Sequence, residues 1–410
     1  MVMRPSSPPL DPAADAAALL RRLGFGILVL GVPVAALMMR RATVIFVPIG
    51  VVLLVLAALL DGAGAGFATR LKKAFQSQAG LAGGLAVAWA ALSIVWTPFP
   101  VSATEKILNV LGLVAIAAAA AASLPERMRA ANLYLVPIGV AVAAITALLL
   151  GATALRRYAG VDADGDSIER GLVILAVAAW PAVGWLVSRA RPILAVALII
   201  AVAGAVVAGG SRTAALALFA GAVVYGLGAW RQRLGIAVTA TVMAAALVLA
   251  PIVPFLVRPF LKYFGGPLYP GATALRVWSE VMSSAPIKLV TGYGLDTSLR
   301  SRFTGQLPVT APQALPFEIW YELGLVGALA AAAALFFAVR SLSSNNQVLV
   351  PAQLAAFAAA FTLASTGAAS AQAWWLTALG AVLVTFVAIE RGQFRTSRPK
   401  ATFFSRAKTD

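Results

Sequence analysis

The sequence predicts an all-α, polytopic membrane protein, and three observations predict it. Of its 410 residues 61% are hydrophobic and 11% charged, so apolar stretches long enough to cross a bilayer recur rather than occur once. All the Lys and Arg except Arg340 fall outside those stretches, largely in the short gaps between them, the alternation expected of successive spans. The 35 glycines and many alanines are the small residues that let membrane helices approach closely, whereas a soluble core of this size could not hide so much apolar side chain.

Taken in order, the chain opens with a lead over residues 1–22, marked by Pro5, Pro8, Pro9 and Pro12. It lacks the small-residue cleavage signature of a signal peptide and reads as a cytoplasmic segment before an uncleaved first span. Windows of about 17 to 25 apolar residues then give about 12 transmembrane helices. Nine fall within 23–257, near 23–39, 42–60, 80–96, 107–124, 132–151, 172–188, 193–209, 214–230 and 234–257. Residues 258–317 form the one large non-membrane segment. Three more spans lie within 318–390, near 318–340, 351–369 and 373–390, before a basic tail over 391–410.

The short gaps set the orientation, because cytoplasmic loops collect Lys and Arg. With the N-terminus inside, Arg4, Arg21, Arg22, Arg70, Lys72, Lys73, Arg127, Arg129, Arg189, Arg191, Arg231, Arg233, Arg340 and the tail cations fall inside. Both termini are therefore expected in the cytoplasm and the large loop outside. Arg40, Arg41, Lys106, Arg156, Arg157, Arg170 and Arg212 are the external exceptions, and function is to be sought among them. The net charge of +17 is spread through many gaps rather than gathered in one stripe, which argues against nucleic acid as a partner. With no cysteine and no histidine, disulfide, thiolate and imidazole chemistry are all excluded.

The large loop is dense in proline and glycine ("PFLKYFGGPLYPGATAL"), which predicts an ordered loop with one or two short helices. Between Ala272 and Ser284, the spacing of Leu275, Trp278 and Met282 puts apolar groups on one helical face and Arg276, Glu280 and Ser283 on another.

Four stretches, in order, resemble the bacterial O-antigen ligases and the related O-antigen polymerases, multi-span enzymes of lipid-linked glycan transfer. They are "WAALSIVWTPFPVSATEKIL" (89–108), "SRTAALALFAG" (211–221), "LRVWSEVMSSAPIKLVTGYGLDT" (275–297) and "APQALPFEIWYELGLVGAL" (311–329), the last carrying a Trp-x-Glu-Leu-Gly ending. With the number of spans, the resemblance covers nearly the whole chain. It implies an active site on the periplasmic side of the bacterial inner membrane. There a glycan would pass from a polyprenyl diphosphate carrier to a hydroxyl of a lipid A core sugar or another glycan chain, by direct displacement with inversion. No nucleotide sugar, metal or other cofactor is implied.

The residue chemistry agrees with that implication. A lipid diphosphate carries two to three negative charges, and guanidinium forks bind such oxygens bidentately while staying charged. Their contacts strengthen as charge builds on the departing diphosphate. Arg212 and Arg276 match the arginines that the family uses on the diphosphate. Arg170 is a further cation for donor or acceptor, and the third stretch adds Trp278, Lys288, Tyr293 and Asp296 as candidate substrate-binding residues. The bland alternatives are that Arg212 snorkels at a helix end and that Arg276 pairs with Glu280 on a wet surface.

One departure from the family pattern bears on catalysis. The family has a histidine, commonly followed by asparagine, just before the Trp-x-Glu-Leu-Gly helix, where this chain has Gln313 and Ala314. Glutamine can hydrogen-bond an acceptor hydroxyl but does not titrate near neutral pH. A carboxylate is then needed as base, with Glu318 and Asp296 the best placed in sequence, unless orientation by Gln313 suffices. A non-catalytic lipid-glycan binding protein or transporter is the reading from another class.

Weaker signals resolve simply. "DADGDSIER" (162–170) has its glycine and glutamate at the wrong positions for an EF-hand and reads as a solvated external turn. "TGYG" without a preceding strand is a turn, not a dinucleotide site. Trp374 and Trp375 read as an interfacial aromatic belt, and the tail as an anionic-lipid contact.

Overall fold

A computed structural model of the chain describes residues 12–61, 67–151, 166–257, 270–284, 287–367 and 372–393. The N-terminal lead as far as residue 11, most of the acidic run (162–165), the loop stretch 258–269 and the tail beyond residue 393 lie outside the described residues. All regular structure among the described residues is helical, as burial of backbone polar groups in hydrocarbon requires.

The helices are α1 (Pro12–Met38), α2 (Ala42–Leu60), α3 (Phe67–Gln76), α4 (Gln78–Val95), α5 (Pro100–Ser123), α6 (Ala130–Gly151), α7 (Asp166–Ser188), α8 (Pro192–Ala208) and α9 (Arg212–Trp230). They continue with α10 (Gln232–Val248), α11 (Ala250–Val257), α12 (Pro270–Ser284), α13 (Lys288–Thr291), α14 (Thr297–Phe303), α15 (Leu315–Ser341), α16 (Val350–Ser365) and α17 (Ala373–Arg391). Among the described residues nine helices are long and apolar enough to cross a membrane, so the protein is an all-α multi-pass membrane protein. The pair α10–α11, bent by 59°, passes the same test only when taken together. Helices α8 and α16 are apolar but shorter, with 17 and 16 residues.

Each expected span overlaps one of these helices, with two differences at the N-terminal side. The first helix begins at Pro12 rather than at residue 23 and passes through a π turn over Ile27–Gly31. Its polar first turns project beyond the apolar stretch, where Arg21 pairs with Asp61 at the end of α2. Residues 67–76, expected only as part of a basic loop, form a short helix that carries Lys72 and Lys73.

The center of the bundle is α7, whose window is 83% buried against 11% for α4. Leu172, Leu175 and Trp185 are fully enclosed, and Gly139 of α6 meets α1 so closely that a Cβ there would sit 2.1 Å from the Val29 carbonyl oxygen. Such contact is what small residues allow between membrane helices. Successive spans alternate in direction, so the loops between them sort to two ends. At one end Arg170 donates to the Arg40 carbonyl, Ser211 and Thr213 meet Glu169, and Thr97 meets Leu295. At the other Met128 N donates to the Arg391 carbonyl and Arg189 to that of Gly392. The described part of the segment between α11 and α15 contains three helices rather than one or two.

Candidate functional site

Three of the four stretches that carry the resemblance meet at this first end. The junction begins with a break in α15 at Gly324, whose φ of 63° and ψ of −159° are not helical. A break interrupts the backbone ladder and leaves carbonyls in need of other donors. Those donors come from elsewhere in the chain. Tyr293 N donates to the Tyr321 carbonyl at 2.8 Å, Gly294 N to that of Glu322 at 2.9 Å, and Trp89 Nε1 to that of Leu323 at 2.9 Å.

The approach is too tight for side chains. A Cβ on Gly292 (φ 73°) would lie 2.2 Å from the Glu322 carbonyl oxygen, and one on Gly324 2.5 Å from that of Val290. The Gly-x-Gly turn and the glycine of Trp-x-Glu-Leu-Gly are thus two halves of one docking contact. From the first stretch, Ser93 accepts from Leu295 N at 3.1 Å and Thr97 donates to the Leu295 carbonyl at 3.0 Å.

An ion cluster sits inside this junction. Lys106 Nζ lies 3.2 and 3.1 Å from the two Glu322 carboxylate oxygens and 3.6 Å from Asp296 Oδ1. Glu322 Oε1 also accepts from Ser298, at 2.6 Å from its hydroxyl and 3.3 Å from its backbone N–H. Arg300 Nε reaches Asp296 Oδ2 at 3.2 Å. Two cations therefore meet two carboxylates, with Asp296 and Glu322 buried, a composition that burial demands because an unmatched charge there is costly. Asp296 holds a left-handed backbone (φ 66°) at the start of α14, a conformation that Asp adopts more readily than most residues.

Beside the cluster, Arg302 of α14 donates Nη2 to the Pro312 carbonyl, and its Nε is buried without a partner. Burial holds its proton affinity below the usual arginine value, while Glu318 and Glu322 pull in the opposite direction. Both carboxylates are thus within electrostatic reach of this guanidinium. Sequence reading counts Arg302 among the loop cations but does not single it out. Its one signal is "RSRF" just before the stretch that holds Gln313.

The expected site residues divide into groups. Asp296 and Glu318 belong to the junction: Asp296 inside the ion cluster, Glu318 in the first turn of α15, one turn before Glu322 and within reach of Lys106 and Arg302. Lys288 lies over the Tyr293 ring at 5.5 Å, Tyr293 stacks on Tyr321 at 4.6 Å, and Phe317 joins the stack at 5.6 Å from Tyr321. Trp278 is buried edge-on to Phe317, so it packs α12 onto α15 rather than presenting a face to a sugar. Gln313 is exposed just ahead of α15, its carbonyl beside Gly367.

The two arginines matched to the family's diphosphate pair stand apart from the cluster. Arg276 faces solvent and bonds Glu280 at 2.7 Å, both well exposed, as the helical spacing predicts. Arg212 is exposed in the first turn of α9, after Ser211, whose hydroxyl caps the helix by accepting from Ala214 N. It shares the α9 start with Ser211 and Thr213, which donate to Glu169 at 3.3 and 3.2 Å. Arg170, next to Glu169, lies 5.4 Å from the Trp374 ring center. The alternation of helices assigns Arg212 and Arg276 to the same end of the bundle, while their direct neighbours differ.

The fold and site define a multi-pass helical membrane protein with an ion cluster built on two buried carboxylates at one end. No family model and no curated protein matches the chain.

Proposed function

We propose that the protein is a membrane glycosyltransferase of the O-antigen ligase type, which moves a glycan from a polyprenyl diphosphate carrier to an acceptor hydroxyl during lipopolysaccharide or surface polysaccharide assembly. The observation that carries the reading is the junction: the 89–108, 275–297 and 311–329 stretches, which carry the resemblance, interlock through the Gly292–Gly324 contact and the Lys106–Glu322 pair. In this reading the chain makes twelve spans in the bacterial inner membrane, counting α8, α16 and the bent pair, with both termini cytoplasmic and the junction periplasmic. Polymerisation of carrier-linked chains is the same chemistry with a different acceptor.

The acceptor oxygen attacks the anomeric carbon as the bond to the diphosphate oxygen breaks, and the electron pair leaves with the diphosphate. Arg212 and Arg276 bind the diphosphate and offset its growing charge, with Arg170 as a further cation for donor or acceptor. Glu318 takes the acceptor proton. Asp296 suits that task less, because Lys106 and Arg300 already engage both its oxygens. Gln313 orients the hydroxyl by hydrogen bonding.

The test is purified protein with a defined polyprenyl-diphosphate glycan and a panel of acceptors, comparing the native chain with Arg276→Ala, Glu318→Gln and Gln313→His. Transfer that falls in the first two variants supports the reading. Transfer indifferent to both overturns the mechanism, and donor binding without transfer to any acceptor favours a lipid-glycan binding protein instead.

A further inference from the structure

At the end of the bundle away from the junction, the α5–α6 connection, the α7–α8 connection and the segment after α17 come together. The Arg189 guanidinium lies 4.1 Å from the Trp185 ring center, Trp185 meets Tyr134 edge-on at 5.8 Å, and the Arg191 guanidinium lies 5.8 Å from the Tyr134 ring center. Two guanidinium groups thus bracket one aromatic pair. Arg189 Nη2 also donates to the Gly392 carbonyl at 2.9 Å, Arg391 Nη1 to that of Leu124, and Met128 N to that of Arg391 at 3.1 Å. Arg127 and Arg129 flank Met128, so three adjoining loops hold five arginines, with Glu126 and Glu390 as their carboxylates.

A charge bias that only sets topology needs a count of cations, not a geometry. Here rings and a carbonyl hold the Arg189 and Arg191 guanidinium groups in place. Arg189 commits one outer nitrogen to the Gly392 carbonyl, whereas a guanidinium has five N–H donors in all, and Arg129 and Arg191 are exposed. Preorganised forks of this kind match phosphate oxygens bidentately, and basic pockets between helices at a membrane surface take lipid headgroups.

We propose that this end binds the phosphate of an anionic membrane phospholipid, held by Arg189 and Arg191 with Arg129 alongside. The site does not depend on the transfer reaction.

The test is native mass spectrometry of the detergent-solubilised full chain titrated with phosphatidylglycerol, with phosphatidylcholine of the same acyl chains, and with inorganic phosphate. Phosphatidylglycerol should bind at least about tenfold more tightly than phosphatidylcholine, and Arg191→Gln and Arg129→Gln should each weaken it about fivefold. Both side chains are exposed, so folding is spared. Arg233→Gln, an exposed cation at the α9–α10 turn, should change affinity less than about twofold. Equal binding of phosphatidylcholine, an equal loss in Arg233→Gln, or unchanged affinity in the Arg129→Gln/Arg191→Gln double variant would overturn the proposal. Inorganic phosphate binding as tightly as the lipid would overturn the lipid assignment.

Discussion

Removing the Lys106 amine tests whether the junction depends on its ion cluster. Lys106→Met keeps the aliphatic stem and deletes the charge between Glu322 and Asp296. At an effective dielectric constant of about 20, the separations of 3.1 and 3.6 Å correspond to gross attractions of about 5 kcal/mol each. Desolvation of the amine offsets several kcal/mol of that sum. What remains exposed to loss is a buried carboxylate pair with one cation. Asp296 keeps Arg300, and Glu322 keeps two donors from Ser298, so the cost falls at the low end of the 3–5 kcal/mol range for breaking a buried pair, about 3 kcal/mol. Lys106→Met/Glu322→Gln removes both charges of the closer pair and should recover about 2 kcal/mol of it. The assay is reversible denaturant unfolding in mixed micelles, followed by tryptophan fluorescence, for the native chain, Lys106→Met, Glu322→Gln and the double variant. A coupling energy near zero, with the two single effects simply adding, would refute the claim that the cluster is energetically one unit.

Gly324→Ala should cost more than about 3 kcal/mol, because left-handed strain adds to a backbone clash, whereas Gly305→Ala, also at positive φ but with open space around it, should cost about 1 kcal/mol; thermal unfolding separates the two. Trp89→Phe removes the donor to the Leu323 carbonyl and should destabilise by about 1–3 kcal/mol in the same measurement. Arg276→Ala breaks a pair exposed on both sides and should change stability by less than about 1 kcal/mol, so a fall in transfer by that variant reports on substrate rather than on folding. Gln313→His, at an exposed position, should raise transfer and make it fall below about pH 6.5 as the imidazole protonates; a gain with no new acid limb would deny the introduced imidazole the role of base.

Much of the architecture was legible because hydrocarbon leaves few choices. An apolar window must be a helix, and short gaps must reverse its direction, so the alternation of ends and the pairing of Arg276 with Glu280 could be read from spacing alone. The junction was not legible in the same way. Lys106 and Glu322 are 216 residues apart, and helical periodicity says nothing about which distant face a side chain meets. The break at Gly324 has no local cause such as a proline beside it. There the backbone meets Val290 and Gly292 so closely that a Cβ would clash with both, a fact about tertiary contact. Arg302 is illegible in the sequence for a related reason, since its bond to the Pro312 carbonyl and the burial of its Nε are both tertiary.

These contacts also explain why the loop needs charge where a membrane protein normally avoids it. The carbonyls of Tyr321, Glu322 and Leu323 are satisfied by groups from two other parts of the chain, yet neutral hydrogen bonds of this kind contribute only about 1 kcal/mol each. Lys106 adds a longer-ranged tie from α5 to both the loop and α15, and the matching of two cations to two carboxylates keeps that tie from becoming an uncompensated charge. The positions of α14 and of the first turn of α15 then follow together, so Arg302, Glu318 and the segment bearing Gln313 keep one mutual geometry. If the reaction needs Glu318 and Gln313 in register, a charge-neutralising change at Lys106 should lower the turnover rate even at temperatures where the protein remains folded. If instead only the donor affinity changes while turnover at saturation holds, the cluster positions the carrier rather than the acceptor side.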